Sequence, residues 1–146
     1  MIVKQISVFV ENKMGRLLAI SDVLAKNDID ISALSLADTE DYGVLRLIVS
    51  DPNKAKEVLN ESGVICKINE VLAVAIDDRP GGFNNALKIL SENGVDVKYM
   101  YASLSHEKGK AIMILRVEDI EKANKLIHDN VKDIVDPSEI YRLSAK

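Results

Sequence analysis

Two short stretches carry the residue types best suited to chemistry. DDRPGGF, residues 77–83, sets two carboxylates, a guanidinium, a proline and two adjacent glycines in front of an amphipathic run, and ENKMG, residues 11–15, opens a similar run earlier in the chain. Glycine lets a backbone come close to a ligand, and a helix that starts after such a turn exposes N–H groups whose partial positive charge favours an anion. Both turns therefore have the make-up of an anion cradle. Side-chain oxygens at Asn12, Asp30, Asp78 and Asp96 suit the opposite charge, an ammonium.

Other chemistries find less support. His106 lies in the polar stretch SHEKG and His128 near the end of the last helical run, and neither has a cysteine or second histidine at metal-ligand spacing. Cys66 sits in an apolar strand far in sequence from both histidines, which reads as a buried, inert thiol rather than a nucleophile. Glu11, Asp77 and Asp78 lack the regularly spaced oxygen ligands of a calcium loop. No acid/base constellation is present, so the expectation is a protein without catalysis, metal or cofactor.

The composition narrows the partners. A chain of 146 residues that is 47% hydrophobic can bury a core as one domain or as two small ones. Its net charge of −4 offers no large positive field to a nucleic acid or an anionic membrane. RNA binding on a sheet would need exposed aromatics, where the central strands here carry Leu45, Leu47, Met113 and Leu115. The apolar runs VLAVAI (71–76) and AIMIL (111–115) are far shorter than the roughly 20 residues a bilayer requires. With one cysteine and no export segment, a reduced, cytoplasmic protein is expected.

The elements that must position the two turns are arranged by an internal repeat. Slid by 66 positions, Val8 falls on Val74, Gly15 on Gly81, Leu24 on Leu90, Asn27 on Asn93 and Asp30 on Asp96. Past residue 41 the slide becomes 68, which sets Val49 on Val117, Asp51 on Asp119, Lys54 on Lys122 and Ala55 on Ala123. Two modules follow, 1–69 and 70–146.

In the first module QISVFV alternates as a strand, and RLLAISDVLAKN has Leu17, Ile20 and Leu24 on one helical face. IDISALSLA and VLRLIVS form a hairpin around TEDYG. Asp51 and Pro52 start a second helix that Gly63 ends, and VICKI (64–68) is the last strand. The second module repeats this with LAVAI, GFNNALKILSEN, VDVKYMYASL, KAIMILRV and IEKANKLIHDN, closed by a strand in either VKDIV (131–135) or EIYRL (139–143). The fold class is α+β: two ferredoxin-like βαββαβ modules in tandem, with antiparallel sheets and helices on one face. Met113, Leu115 and Val117 face the helices, while Ile112, Ile114, Phe9 and Ile48 make the opposite sheet face partly apolar. Such a face calls for another sheet or another subunit, and a homo-oligomer is expected.

The repeat, the glycine turn after each first strand, and the openings Ile29-Asp30-Ile31 and Val95-Asp96-Val97 together resemble a tandem ACT-domain protein, over essentially the whole chain. The family's turn often reads acidic residue, Asn, Arg, Pro, Gly. ENKMG keeps Asn12 and Gly15 and has Lys13 and Met14 in place of the Arg-Pro pair, whereas DDRPG keeps Arg79, Pro80 and Gly81 and has Asp78 in place of Asn.

The resemblance implies a small-molecule sensor, most often of amino acids, that acts on an enzyme of amino-acid metabolism supplied in trans. It implies that a turn of one module faces the second strand of its neighbour. Asn12, Lys13, Met14 and Gly15 would then work with Asp96, and Asp78, Arg79, Gly81 and Gly82 with Asp30, if the two modules of one chain pair; pairing between chains would change the partners. The alternative is a ligand-independent module that docks an enzyme subunit through its apolar sheet face. Each residue also has an ordinary use: the glycines as turn formers, Asn12 and Asp78 as helix caps or solvated groups, Arg79 as a carboxylate partner, Asp30 and Asp96 as edge charges against aggregation. Tyr99 and Tyr101 share a face and read as packing, a pocket lining or an interface.

Overall fold

The computed structural model describes residues 1–38, 40–104, 109–131 and 140. The elements are β1 (Ile2–Glu11), α1 (Arg16–Lys26), β2 (Ile31–Asp38), β3 (Tyr42–Val49), α2 (Pro52–Glu61), β4 (Cys66–Asp77), α3 (Gly82–Glu92), β5 (Val97–Ala102), β6 (Lys110–Val117) and α4 (Ile120–Asn130). They divide into two compact units, one holding Lys4–Asn69 and the other Met1–Val3 with Glu70–Ile140.

In the unit of residues 4–69 the strand order is β2-β3-β1, with the start of β4 beside β1, and β3 is antiparallel to both its neighbours. Period-two alternation turns Ile6, Val8 and Val10 toward the helices, where they meet Ile20 and Leu24 of α1 and Ala55 and Leu59 of α2. The second unit has the order β4-β6-β5, again antiparallel. There Leu72, Val74, Leu115 and Val117 pack against Ala86 and Leu90 of α3 and Ala123 and Ile127 of α4. Each unit is an α+β, ferredoxin-like layer of two helices on an antiparallel sheet.

The repeat is visible atom by atom. Asn27 and Asn93 follow their helices and donate Nδ2 to the carbonyls of Val23 and Ile89, both at 2.8 Å. Asp51 and Asp119 cap α2 and α4 by accepting the amides of Lys54 and Lys122, both at 3.0 Å. Asp28 has φ 55, the left-handed conformation that Gly94 adopts at the matching position.

One expectation changes. Cys66–Ile68 of VICKI and all of LAVAI are parts of one strand, β4, because no proline or glycine interrupts residues 66–77. Of the residues expected on the opposite sheet face, Ile48, Ile112 and Ile114 are buried and Phe9 is 51% exposed. The expected closing strand of the second module, like His106, falls outside the described residues, apart from Val131 and the buried Ile140.

Candidate ligand-binding turns

Both turns start where a strand ladder ends. Asn12 donates its backbone N–H to the Asp41 carbonyl, and Asp78 donates to the Gly109 carbonyl, both at 3.0 Å, so each turn is tied to the hairpin loop of its own module. Inside the turns Lys13 N–H reaches the Glu11 carbonyl at 2.8 Å and Arg79 N–H the Asp77 carbonyl at 2.9 Å. Gly15 and Gly81 then precede the helices with φ 84 and 86, a conformation that disfavours a β-carbon. Neither helix has a side-chain cap. Asn12 and Asp78 are therefore not caps, and among the described residues the amides of Leu17, Leu18, Phe83 and Asn84 take no cap or loop partner. That is the physical condition for receiving an anion.

The charges of the two turns differ. Glu11 accepts from Lys13 at 3.2 Å and Arg16 at 3.5 Å, both within or next to its own turn. Asp77 takes Arg79 on one oxygen at 3.0 Å and Lys110, from the hairpin, on the other at 2.7 Å. The hydrogen bond from Lys13 holds the Glu11 carboxyl below its ordinary range, and those from Lys110 and Arg79 do the same for Asp77. Arg79 thus serves as a carboxylate partner. Asp78 is exposed, and its carboxylate has no partner among the described residues. Asn12 donates Nδ2 to the Glu40 carbonyl at 3.3 Å, which leaves its oxygen to accept. Met14 stands fully in solvent.

Asp30 and Asp96 lie elsewhere in their modules. Asp30 Oδ1 accepts the Ile31 amide at 2.9 Å, and Asp96 pairs with Lys98 at 2.9 Å, which raises the lysine's pKa. Each aspartate precedes the second strand, beyond the far end of an 11-residue helix. At about 1.5 Å per residue the helix separates aspartate from turn by about 16 Å. Within a module, then, turn and aspartate are not brought together.

Sequence reasoning missed Lys110. The 68-residue slide sets Tyr42 on Lys110, and pairing KAIMILRV antiparallel to LAVAI puts Lys110 opposite Asp77, so the signal was present in the register. Lys110 also lines a pocket of about 320 Å³ below the second turn, with Asp77, Gly82, Asn85, Ile89 and Asn130. Beside the first turn a groove of about 420 Å³ is lined by Leu17, Leu18, Ile31 and Leu34, an almost wholly apolar set. Leu17, Leu18 and Leu34 are exposed there, and Leu36, also on β2, is exposed as well. Tyr101 is buried, as ordinary packing requires, and Met100 is 37% exposed. Cys66 is buried, with its thiol 3.5 Å from Asn60 Oδ1 and its pKa pushed up by burial. Among the described residues no three His, Cys, Asp or Glu side chains gather as a metal set, and no helix is long and apolar enough to cross a membrane.

Twin left-handed glycine turns on paired α+β modules define a tandem ferredoxin-like class. Residues 1–144 match the family model described as an ACT domain pair, and the chain belongs to that family. Among solved structures, it is 35% identical to protein BT0572 from Bacteroides thetaiotaomicron, with 97% of each chain covered and a TM-score of 0.90. The fold is shared with the regulatory subunit of aspartate kinase from Thermus thermophilus in its ligand-free form, at 13% identity, 90% and 96% coverage and a TM-score of 0.63. The corresponding subunit from Thermus flavus gives 13% identity, 88% and 94% coverage and 0.61. No curated protein matches.

Proposed function

We propose that this chain is a non-catalytic regulatory protein that binds an amino acid between ACT modules and thereby controls an enzyme of amino-acid metabolism supplied in trans. The observation that carries the reading is the pair of uncapped helix starts behind Gly15 and Gly81, whose open amides suit an α-carboxylate. Asp78 and the Asn12 oxygen suit the α-ammonium. Because each turn is about 16 Å from the aspartate of its own module, Asp30 and Asp96 complete a site only from a neighbouring module. The exposed leucines beside the edge strand β2 support such a neighbour in a second chain, as a homodimer. The single, buried thiol fits a reducing, cytoplasmic setting. Binding would switch the partner enzyme through a difference in affinity between two module arrangements. Thermal-shift screening of the twenty proteinogenic amino acids, followed by calorimetry on Asp30→Ala and Asp96→Ala, tests the proposal.

One observation favours a second reading, docking without a ligand. Across β2, β3, β1 and the residue before β4, the register aligns Ala37, Val44, Phe9 and Ile65 on the sheet face away from the helices. Phe9 and Ile65 are 51% and 69% exposed. A stable enzyme partner isolated in the absence of any small molecule, and lost with Phe9→Ser, would favour this reading.

A further inference from the structure

The two turns are alike in backbone and unlike in how they are anchored. Asp77 and Lys110 are direct partners in the β4–β6 ladder, and Glu11 and Tyr42 are the corresponding partners in the β1–β3 ladder. The Asp77–Lys110 bridge is a charge-assisted bond of 2.7 Å in which the lysine side chain is only 30% exposed. With Arg79 on the other oxygen, the carboxylate joins hairpin, strand end and turn. In the first module Glu11 is satisfied by Lys13 and Arg16, side chains 69% and 55% exposed that reach nothing in the hairpin through it. The first turn instead has a neutral and longer side-chain bond to that hairpin, Asn12 Nδ2 to the Glu40 carbonyl at 3.3 Å.

The backbone of the second turn is also packed more closely. A β-carbon at Gly82 would run into the Asp77 carbonyl oxygen, whereas the matching residue of the first turn, Arg16, carries one. The helix start of α3 is thus seated directly on the residue that Lys110 holds.

We propose that Lys110 is a positioning residue for the second turn: through Asp77 it fixes residues 77–82 in their ligand-receiving shape, so that the two turns bind amino acids unequally, the second more tightly. The inference rests on the ligand reading above. Its physical basis is preorganisation: a loop already held in its bound conformation loses less freedom when the ligand arrives. Lys110 acts through its 2.7 Å bond to Asp77, so the positioning role needs no contact with the ligand.

Two measurements on the full chain separate this inference from the ligand reading. Native-state amide hydrogen exchange without ligand should show the Asp78 N–H exchanging about fivefold faster in Lys110→Met, the size expected for a partly exposed ion pair. The Asn12 N–H should not change, and Lys110→Arg should restore the Asp78 rate. Calorimetric titration with the twenty proteinogenic amino acids, singly, should resolve two affinities. Lys110→Met should weaken the tighter one about fivefold and leave the other unchanged. An unchanged Asp78 rate in Lys110→Met overturns the positioning role whether or not any amino acid binds. Two equal sites, or a tighter site indifferent to Lys110→Met, overturn the inequality. Binding of none of the twenty removes the ligand reading alone, with the exchange result still deciding the role of Lys110.

Discussion

Gly15 and Gly81 stand 66 residues apart and share one backbone conformation, φ 84 with ψ −8 and φ 86 with ψ −10. Each converts the end of a strand ladder into the first turn of a helix without a side-chain cap. An L-residue at either position would be held in the left-handed region, so Gly15→Ala and Gly81→Ala should each destabilise the protein by about 1–2 kcal/mol. Gly82→Ala should cost more, about 3 kcal/mol, because its β-carbon meets the Asp77 carbonyl oxygen as well. Urea unfolding midpoints of the three variants measure this ranking.

The helix caps Asp51 and Asp119 each accept one amide that the helix cannot satisfy. Their removal in Asp51→Ala and Asp119→Ala should cost about 1 kcal/mol apiece. The two lie in different units, so a double variant should show the sum. Chemical denaturation of the single and double variants checks both the size and the additivity.

Asp77 has its carboxyl held below the ordinary range, first by the hydrogen bond from Lys110 and then by that from Arg79. A depressed folded-state pKa means that the stabilising contribution is complete above the ordinary carboxylate pKa and disappears as pH falls through the lowered value. The loss therefore lies on the acid side, and neutral pH should not touch it. An NMR titration of the Asp77 carboxyl carbon should place its midpoint low, and Lys110→Met should move it upward while Glu11, held by Lys13 and Arg16, stays in place.

Cys66 lies in the core of its unit, and burial raises the thiol's pKa despite the opposing charge of Lys56. The nucleophilic thiolate is thus scarce and covered. Reaction with a chromogenic disulfide reagent at neutral pH should be slow in the native protein and should become fast only when urea unfolds it. Rapid labelling in buffer would show that the strand bearing Cys66 opens readily.

Much of this was legible in the sequence because it is local. Asp51-Pro52 announces a helix start through its own residue types, and Leu17, Ile20 and Leu24 mark a buried stripe by spacing alone, although Leu17 proves half exposed. The repeat was legible because equal spacings survive divergence: Asn27 and Asn93 make the same bond. The bridge from Lys110 to Asp77 was not read, because it joins residues 33 apart and depends on a strand register. Arg79 shows the limit of residue type. A guanidinium beside two carboxylates and a turn is equally suited to a ligand and to a neighbour, and in this structure it pairs with Asp77. The proposed joint use of a turn with Asp30 or Asp96 would involve a neighbouring module, which no single module's spacing encodes.

The central claim is that these turns receive an amino acid, and isothermal titration calorimetry with each of the twenty proteinogenic amino acids tests it most directly. Saturable heat is expected with at least one of them, and Asp30→Ala or Asp96→Ala should weaken that binding. The absence of saturable heat with all twenty, or binding that both substitutions leave untouched, would contradict the account.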